Sequence, residues 1–302
     1  MTTDRPLLGI LLMLGFCVLA PLGDSIAKIL GDTIPLGQLL VVRFAAQTVL
    51  LLPIVWLSGG TLHMSRRVFL LTIVRTLLHI VGIGGMFTAL RFLPLADAIA
   101  IAFVMPFIML LLGKYVLGEV VGPRRLAACV VGFIGTLLVI QPSFAAVGPP
   151  ALLPLLVAVI FALFMLVTRQ VARETGPIAL QAVSGVVATV LFSVLYLAAG
   201  RLDLPGLSLV TPTSSEITLL AAIGVLGTLA HLLMTWSLRF APSATLAPMQ
   251  YLEIPFATLI GWLVFRDFPN GLAAIGITIT MGSGLYVVYR EHAAQRELRA
   301  EA

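Results

Sequence analysis

Long apolar runs follow one another along almost the whole chain, separated by charged residues and by clusters of proline and glycine. A helix needs roughly 20 mostly apolar residues to cross the hydrocarbon core of a bilayer. Windows of that length divide the chain into candidate transmembrane segments. There are ten, at about 7–27, 36–58, 68–90, 95–117, 124–142, 151–168, 177–199, 216–237, 243–265 and 271–289. The sequence therefore predicts an all-α polytopic membrane protein with ten transmembrane helices.

The composition leaves little material for a soluble domain, since 60% of the residues are hydrophobic and 10% are charged. The first apolar run is too long for the core of a signal peptide and lacks a small-residue cleavage site, so we expect it to remain as a helix. Cys17 and Cys129 both fall inside apolar windows, where a thiol behaves as a small hydrophobic group. We expect neither a disulfide nor a metal site from them.

The basic residues indicate how the chain is oriented in the membrane. If the N-terminus is cytoplasmic, that side carries eleven Lys and Arg residues and the outer side carries four. Because cytoplasmic loops are enriched in Lys and Arg, we expect both termini in the cytoplasm. The net charge of +5 then reflects topology, and nucleic-acid binding is not needed to explain it.

An internal repeat is visible around residues 90 and 238. The segment ALRFLPLADAIAIAFVMPFIMLLLGKYVLGE resembles SLRFAPSATLAPMQYLEIPFATLIGWLVFRD, with Arg91 and Pro94 matching Arg239 and Pro242 at an offset of 148. This predicts two halves of five segments each, residues 1–148 and 149–302. An odd number of segments inserts the second half upside down, which gives the inverted repeat found in many secondary transporters.

A proline recurs near the middle of the fourth and ninth segments. Pro106 and Pro255 match at an offset of 149. Proline removes a helical hydrogen bond and clashes with the preceding turn, so each helix should break or bend there. The freed backbone carbonyls would be available to a cavity.

The motifs VVRFAA, ALRFLPLADA, the following GE and VGFIGTLLVIQP together resemble the EamA branch of the drug/metabolite transporter superfamily. Within that branch, VVRFAAQTVLLLP, Arg75 and APMQYLEIPFATLIGWLVFRDFP are similar to bacterial riboflavin and S-adenosylmethionine uptake transporters. The resemblance implies a carrier of the bacterial inner membrane with a small-molecule substrate, no cofactor and a central cavity between the halves. It favours riboflavin first, with S-adenosylmethionine uptake or amino-acid export as alternatives.

Glu253 is a carboxylate inside an apolar segment. Such a group costs about 2.5–3.5 kcal/mol at a helix centre on insertion scales, so it usually faces a cavity or a partner. On a continuous helix, Gln250, Glu253 and Ala257 would share one face, with Tyr251 beside them. We expect this face to bind substrate or couple transport to protons. The alternative is a structural Glu, neutralised by an Arg or protonated, that holds two helices together.

Other polar residues lie within the segments. Arg43 and Arg75 can either snorkel to the nearer headgroups or serve the site, with Asp24 as a partner for Arg43. His79 follows Arg75 by one turn, and both His79 and His231 either pack or titrate near physiological pH. The arginines would favour an anionic substrate and Glu253 a cationic one, so the sequence leaves the substrate charge open.

Aromatic residues would suit a flat ligand, and those in the fourth, eighth and ninth segments are candidates for stacking. The same residues could instead face lipid or the core. They are Phe103, Phe107, Trp236, Tyr251 and Phe256.

The chain lacks the nucleotide-binding, zinc-hydrolase and serine-hydrolase motifs Gly-x4-Gly-Lys-Ser/Thr, His-Glu-x-x-His and Gly-x-Ser-x-Gly. We therefore predict a secondary transporter and not an enzyme. An intramembrane lipid-modifying enzyme would need converging polar groups, and an assembly protein would not need an inverted repeat. Whether the transporter forms a homodimer and in which direction it works stay open.

Overall fold

The computed structural model describes residues 5–118, 121–140, 148–202, 207–267, 271–272, 274–279, 281–283, 285–286 and 289. The regular structure in these residues is helical. The helices are α1 (Pro6–Leu30), α2 (Leu36–Leu57), α3 (Arg66–Ala89), α4 (Leu95–Ala102), α5 (Met105–Val116), α6 (Pro123–Ile140), α7 (Leu153–Ala172), α8 (Pro177–Leu202), α9 (Ser214–Phe240), α10 (Ser243–Gln250) and α11 (Glu253–Phe265). A short 3-10 turn, Pro149–Leu152, precedes α7.

Within the described part of the chain, seven segments are long and apolar enough to cross a membrane. They coincide with the first four predicted windows and with the sixth, seventh and eighth. The other three windows contain the shorter apolar helices Leu126–Leu138, Glu253–Phe265 and Ala274–Ser283. The prediction of an all-helical, polytopic membrane protein is confirmed, and the full set of ten spans stays a prediction.

The helices of the first half pack mainly on those of the second. α1 lies on α9, α2 on α8 and α3 on α7, while the α4–α5 segment contacts α10 and α11. Helices α1, α2 and α3 of the first half correspond to α7, α8 and α9 of the second. The α1–α9 contact is therefore equivalent to the α3–α7 contact, and the α2–α8 contact is equivalent to itself. The main hydrophobic core is therefore built at the junction of the halves.

Both proline-containing segments are broken. The first break, at Phe103 and Val104, separates α4 from α5, and the second, at Tyr251 and Leu252, separates α10 from α11. The two breaks are 148 residues apart, as the sequence repeat requires, and the rings of Phe103 and Tyr251 lie with centroids 5.8 Å apart. The predicted breaks are confirmed. The predicted continuous face through Gln250 is wrong, because the second break separates it from α11.

A cation near the end of the first helix of each half caps the third helix of the same half. Lys28 Nζ donates to the carbonyl oxygens of Leu90 and Leu93 at 2.9 and 2.6 Å, and Arg169 donates to that of Leu238. Leu90 and Leu238 are again 148 residues apart. Cations are favourable at helix C-termini because the final carbonyls lack helical partners.

The repeated arginines after these helix ends make matching contacts too. Arg91 donates to the carbonyl of Ile34, and Arg239 donates to that of Thr175, each at 3.3 Å. The accepting residues each lie in the loop that follows the first helix of their half. The sequence repeat is thus also a repeat of tertiary contacts.

Candidate functional site

A cavity lies between the halves, walled by residues of α1 to α5, α7 and α9 and by the first residue of α11. The cavity volume is about 70 Å³, which is room for roughly five waters. The wall is mostly apolar. Its titratable side chains are Asp24, Arg43, His231 and Glu253.

Arg43 and His231 form a buried pair on this wall. Arg43 is 3% exposed, and its Nη2 donates to Nδ1 of His231 at 3.0 Å. Nδ1 also lies 3.0 Å from the Gly227 carbonyl oxygen, so it either accepts from Arg43 or donates to Gly227, depending on the ring tautomer. A Cβ added to Gly227 would lie 2.7 Å from Arg43 Nε, so the path of the arginine depends on that glycine. The snorkelling alternative for Arg43 is wrong.

Glu253 and Asp24 approach the cavity from α11 and α1. Glu253 is 7% exposed and is the first residue of α11, where free N–H groups and the helix dipole favour a carboxylate. Among the described residues, no Lys or Arg nitrogen lies within 4 Å of either carboxylate. The expected ion pair between Asp24 and Arg43 is therefore absent, although both residues line the same cavity.

Gln250 and Tyr251 lie at the second helix break but not on the cavity wall. The Gln250 amide Nε2 points to the sulfur atoms of Met109 and Met165 at 3.5 and 3.4 Å. The Tyr251 hydroxyl donates to the Cys129 carbonyl at 3.1 Å. Both side chains pack the break against neighbouring helices.

Of the five aromatic residues predicted to stack on a ligand, only Phe103 lines this cavity. Phe103 is on the wall, but Phe107 stacks on Phe133 with ring centroids 6.2 Å apart, and Trp236 packs in a separate apolar cluster. Phe256 packs against the main core. Sequence reasoning missed the other aromatic wall residues, which come from α1, α3 and α7: Phe16, Phe87 and Phe161.

Arg75 is fully buried away from the cavity wall, so its snorkelling alternative is also wrong. Its Nε, Nη1 and Nη2 donate to the hydroxyls of Thr168, Ser184 and Thr235 at 2.8, 2.7 and 3.4 Å. The guanidinium carbon lies 4.6 Å from the ring centroid of Phe164. Neutral oxygens and an aromatic face thus replace an acidic partner.

His79 lies between the cavity histidine and the core. Its ring centroid is 4.3 Å from that of His231 and 4.6 Å from that of Phe164. Neither ring nitrogen has a hydrogen-bond partner in the part of the chain that the structure describes. His79 is not on the cavity wall and packs against the wall residue His231.

A buried amide network connects the two arginine sites. Gln181 Nε2 donates to the His231 carbonyl at 2.8 Å and to the Thr235 hydroxyl at 2.9 Å, and Gln47 donates to the Gln181 carbonyl at 2.6 Å. Sequence reasoning missed both glutamines. The available signal was the presence of two amides inside apolar segments.

Broken helices, an intramembrane cavity and buried charges around it define a helical membrane carrier. The chain belongs to the EamA-like transporter family, whose sequence profile matches residues 7–141 and again residues 149–289. It is a transporter and not an enzyme.

The relatives that the chain resembles are named for two different substrates, riboflavin and S-adenosylmethionine. The chain is 29% identical over 225 residues to a riboflavin transporter of Rhizobium johnstonii, covering 74% of this chain and 72% of the relative. It is 25% identical over 275 residues to an S-adenosylmethionine uptake transporter of Rickettsia prowazekii, covering 91% and 90% of the two chains. A crystal structure that is 21% identical superposes with a TM-score of 0.69 over 94% of this chain and 96% of its own, which shows a shared fold.

Proposed function

We propose that this protein takes up riboflavin, or a similar flat metabolite, across the bacterial inner membrane by alternating access. The observation that carries the proposal is the cavity, to which both halves contribute aromatic and charged side chains. Aromatic walls suit a flat ring system. The named riboflavin-transporting relatives support this substrate.

The mechanism requires the halves to separate around the substrate. The cavity has room for only a few waters, whereas a tricyclic ring is much larger. Ten spans in two inverted halves, with both termini cytoplasmic, would supply two related conformations that open to opposite sides. The matching helix breaks and matching cation caps in the two halves support this scheme.

S-adenosylmethionine is the second candidate, and a specific observation favours it. Asp24 and Glu253 border the cavity without a described Lys or Arg within 4 Å, so they could balance a cationic ligand. The cationic sulfonium of S-adenosylmethionine fits that requirement.

The test is uptake by the purified protein in liposomes, with labelled riboflavin, S-adenosylmethionine and an aromatic amino acid supplied separately, with and without a pH gradient. Saturable riboflavin uptake supports the proposal. Flux of S-adenosylmethionine alone moves the assignment to the second candidate, and flux of the amino acid alone contradicts both.

A matched pair of variants shows whether flux passes through this cavity. Neither Gly23, on the cavity wall, nor Gly261, on α11, has a neighbouring atom within 4 Å of an added Cβ. Gly23→Leu should reduce uptake by filling the cavity, whereas Gly261→Leu should transport normally. Equal activity of the two variants would place the substrate path elsewhere.

A further inference from the structure

We propose that the cavity recognises the edge of a planar heterocycle that carries both a carbonyl acceptor and a ring N–H donor. Arg43 would donate to the carbonyl, His231 would hydrogen-bond the same polar edge through Nε2, and Asp24 or Glu253 would accept from the N–H. This inference rests on the proposed function and narrows its substrate class.

The donor side contains two buried nitrogen atoms that lack a hydrogen-bond partner among the described residues. Arg43 Nη1 and His231 Nε2 have no hydrogen-bond partner among the described residues, although the side chains are only 3% and 4% exposed. Buried donors in native proteins are nearly always paired. Arg43 Nη1 is always a donor, whereas His231 Nε2 donates or accepts according to the tautomer, since Nδ1 lies 3.0 Å from both Arg43 Nη2 and the Gly227 carbonyl oxygen. A ligand carbonyl would supply the acceptor that Arg43 Nη1 lacks.

The two carboxylates reach the cavity from helices other than those of Arg43 and His231. Asp24 comes from α1 and Glu253 from α11, and α1 packs against both α11 and the helix that carries His231. No described Lys or Arg nitrogen lies within 4 Å of these carboxylates. A ligand N–H is therefore a suitable partner for either of them.

The remaining wall favours a flat ring over a flexible polar chain. Phe16, Phe87, Phe103 and Phe161 line the same cavity as the polar groups. An apolar ring face can rest on these side chains while its polar edge meets the charges. The imide edge of riboflavin, with an N–H between two carbonyls, has this pattern, whereas an amino acid has no such ring edge.

The first measurement is equilibrium binding of riboflavin and N3-methylriboflavin to the purified full-length protein, followed by flavin fluorescence. The methyl group removes the N–H and leaves the ring and side chain intact. We expect binding to weaken by about 10- to 100-fold, because a buried carboxylate loses its donor. Equal affinities for the two flavins overturn the inference while leaving riboflavin as the substrate.

The second measurement assigns the wall residues. His231→Phe should weaken riboflavin binding about tenfold, while His231→Gln, which keeps an N–H, should lose less. His79→Phe is the matched control, because its ring is 4.3 Å from His231 but off the cavity wall. Equal losses from His79→Phe and His231→Phe would show that the ring only packs, and would overturn its hydrogen-bonding role in the inference.

Asp24→Leu and Glu253→Leu test the acceptor side. At least one should bring the affinity ratio of riboflavin to N3-methylriboflavin close to one, and an unchanged ratio in both overturns the acceptor role. If the wild-type protein does not bind riboflavin at all, the proposed substrate fails and this inference fails with it.

Discussion

At the scale of single residues, Arg75 and Arg43 are buried with no acidic oxygen within 4 Å in the described part of the chain. Arg75 is bound by three hydroxyl groups and an aromatic ring, and Arg43 by a neutral imidazole. A buried charge is expensive unless its donors are all satisfied. The surrounding polar residues are therefore as important to the fold as the arginines themselves.

Arg75 allows a test of this account. The hydroxyls of Thr168 and Thr235 also donate to carbonyls in their own helices at 2.7 Å, so Arg75→Met removes the charge without orphaning them. Arg75→Lys keeps the charge but cannot reproduce the three-way geometry. We expect a loss of about 1–2 kcal/mol in the free energy of unfolding for Met and about 2–4 kcal/mol for Lys.

Thermal unfolding of the purified variants in one detergent ranks them. The lysine variant should have the lower Tm. A lysine variant as stable as the wild-type protein would mean that charge alone matters at this position.

Glu253 is the residue on which proton coupling would depend. Glu253→Gln keeps the size and one acceptor oxygen but replaces the other with an NH2 donor and cannot ionise, so the variant should fold and lose the response of transport to a pH gradient. Uptake measured from pH 5 to 8 checks this. Glu216→Gln is the control, since Glu216 lies at the exposed N-terminus of α9 in a capping box. Normal, pH-sensitive transport by Glu253→Gln would make Glu253 a structural residue.

At the scale of helices, close packing at the second break depends on a missing side chain. The ring of Tyr251 lies against Gly132 of α6, and an added Cβ would be 2.5 Å from the ring atom Cδ2. Only a glycine at this position leaves room for the tyrosine ring. The tyrosine hydroxyl then fixes the break by its bond to Cys129.

Gly132→Ala should therefore destabilise the protein by about 1–3 kcal/mol through overpacking. Gly261→Ala, at a helical position with open space around it, should be neutral or stabilising by up to about 1 kcal/mol because alanine is the better helix former. The Tm difference between the two variants in detergent is the measurement. Equal Tm values would show that α6 moves away from the break at little cost.

At the scale of the whole molecule, the two halves share helix order, helix breaks and capping contacts. Our topology prediction places the junction between the halves, near Gly148, outside the cell. Residues 141–152 contain no Lys or Arg, as expected of an external loop. A reporter enzyme fused after Gly148 should therefore be located outside the cytoplasm. A cytoplasmic signal there would contradict the scheme of five plus five spans.

Much of the architecture could be predicted from the sequence. Apolar runs of about 20 residues predict the helices, the 148-residue offset predicts the two halves, and Pro106 and Pro255 predict the helix breaks. Each of these predictions depends on the local sequence alone. Glu253, Arg43 and His231 could also be selected from the sequence as candidates for a cavity wall, because charged or polar groups inside a span usually face a cavity or a partner, and all three line the cavity. These features do not require knowledge of which helices touch.

What faces the cavity was decided only by the tertiary structure. Gln250 and Tyr251 adjoin Glu253 in sequence, yet at the helix break their side chains pack against neighbouring helices and not on the cavity wall. Phe16, Phe87 and Phe161 reach the cavity from three different helices. The partners of Arg75 come from α7, α8 and α9. Local chemistry sets where a helix lies and where it breaks, but the facing of each side chain depends on contacts between residues about 90 to 230 positions apart, which no single segment encodes.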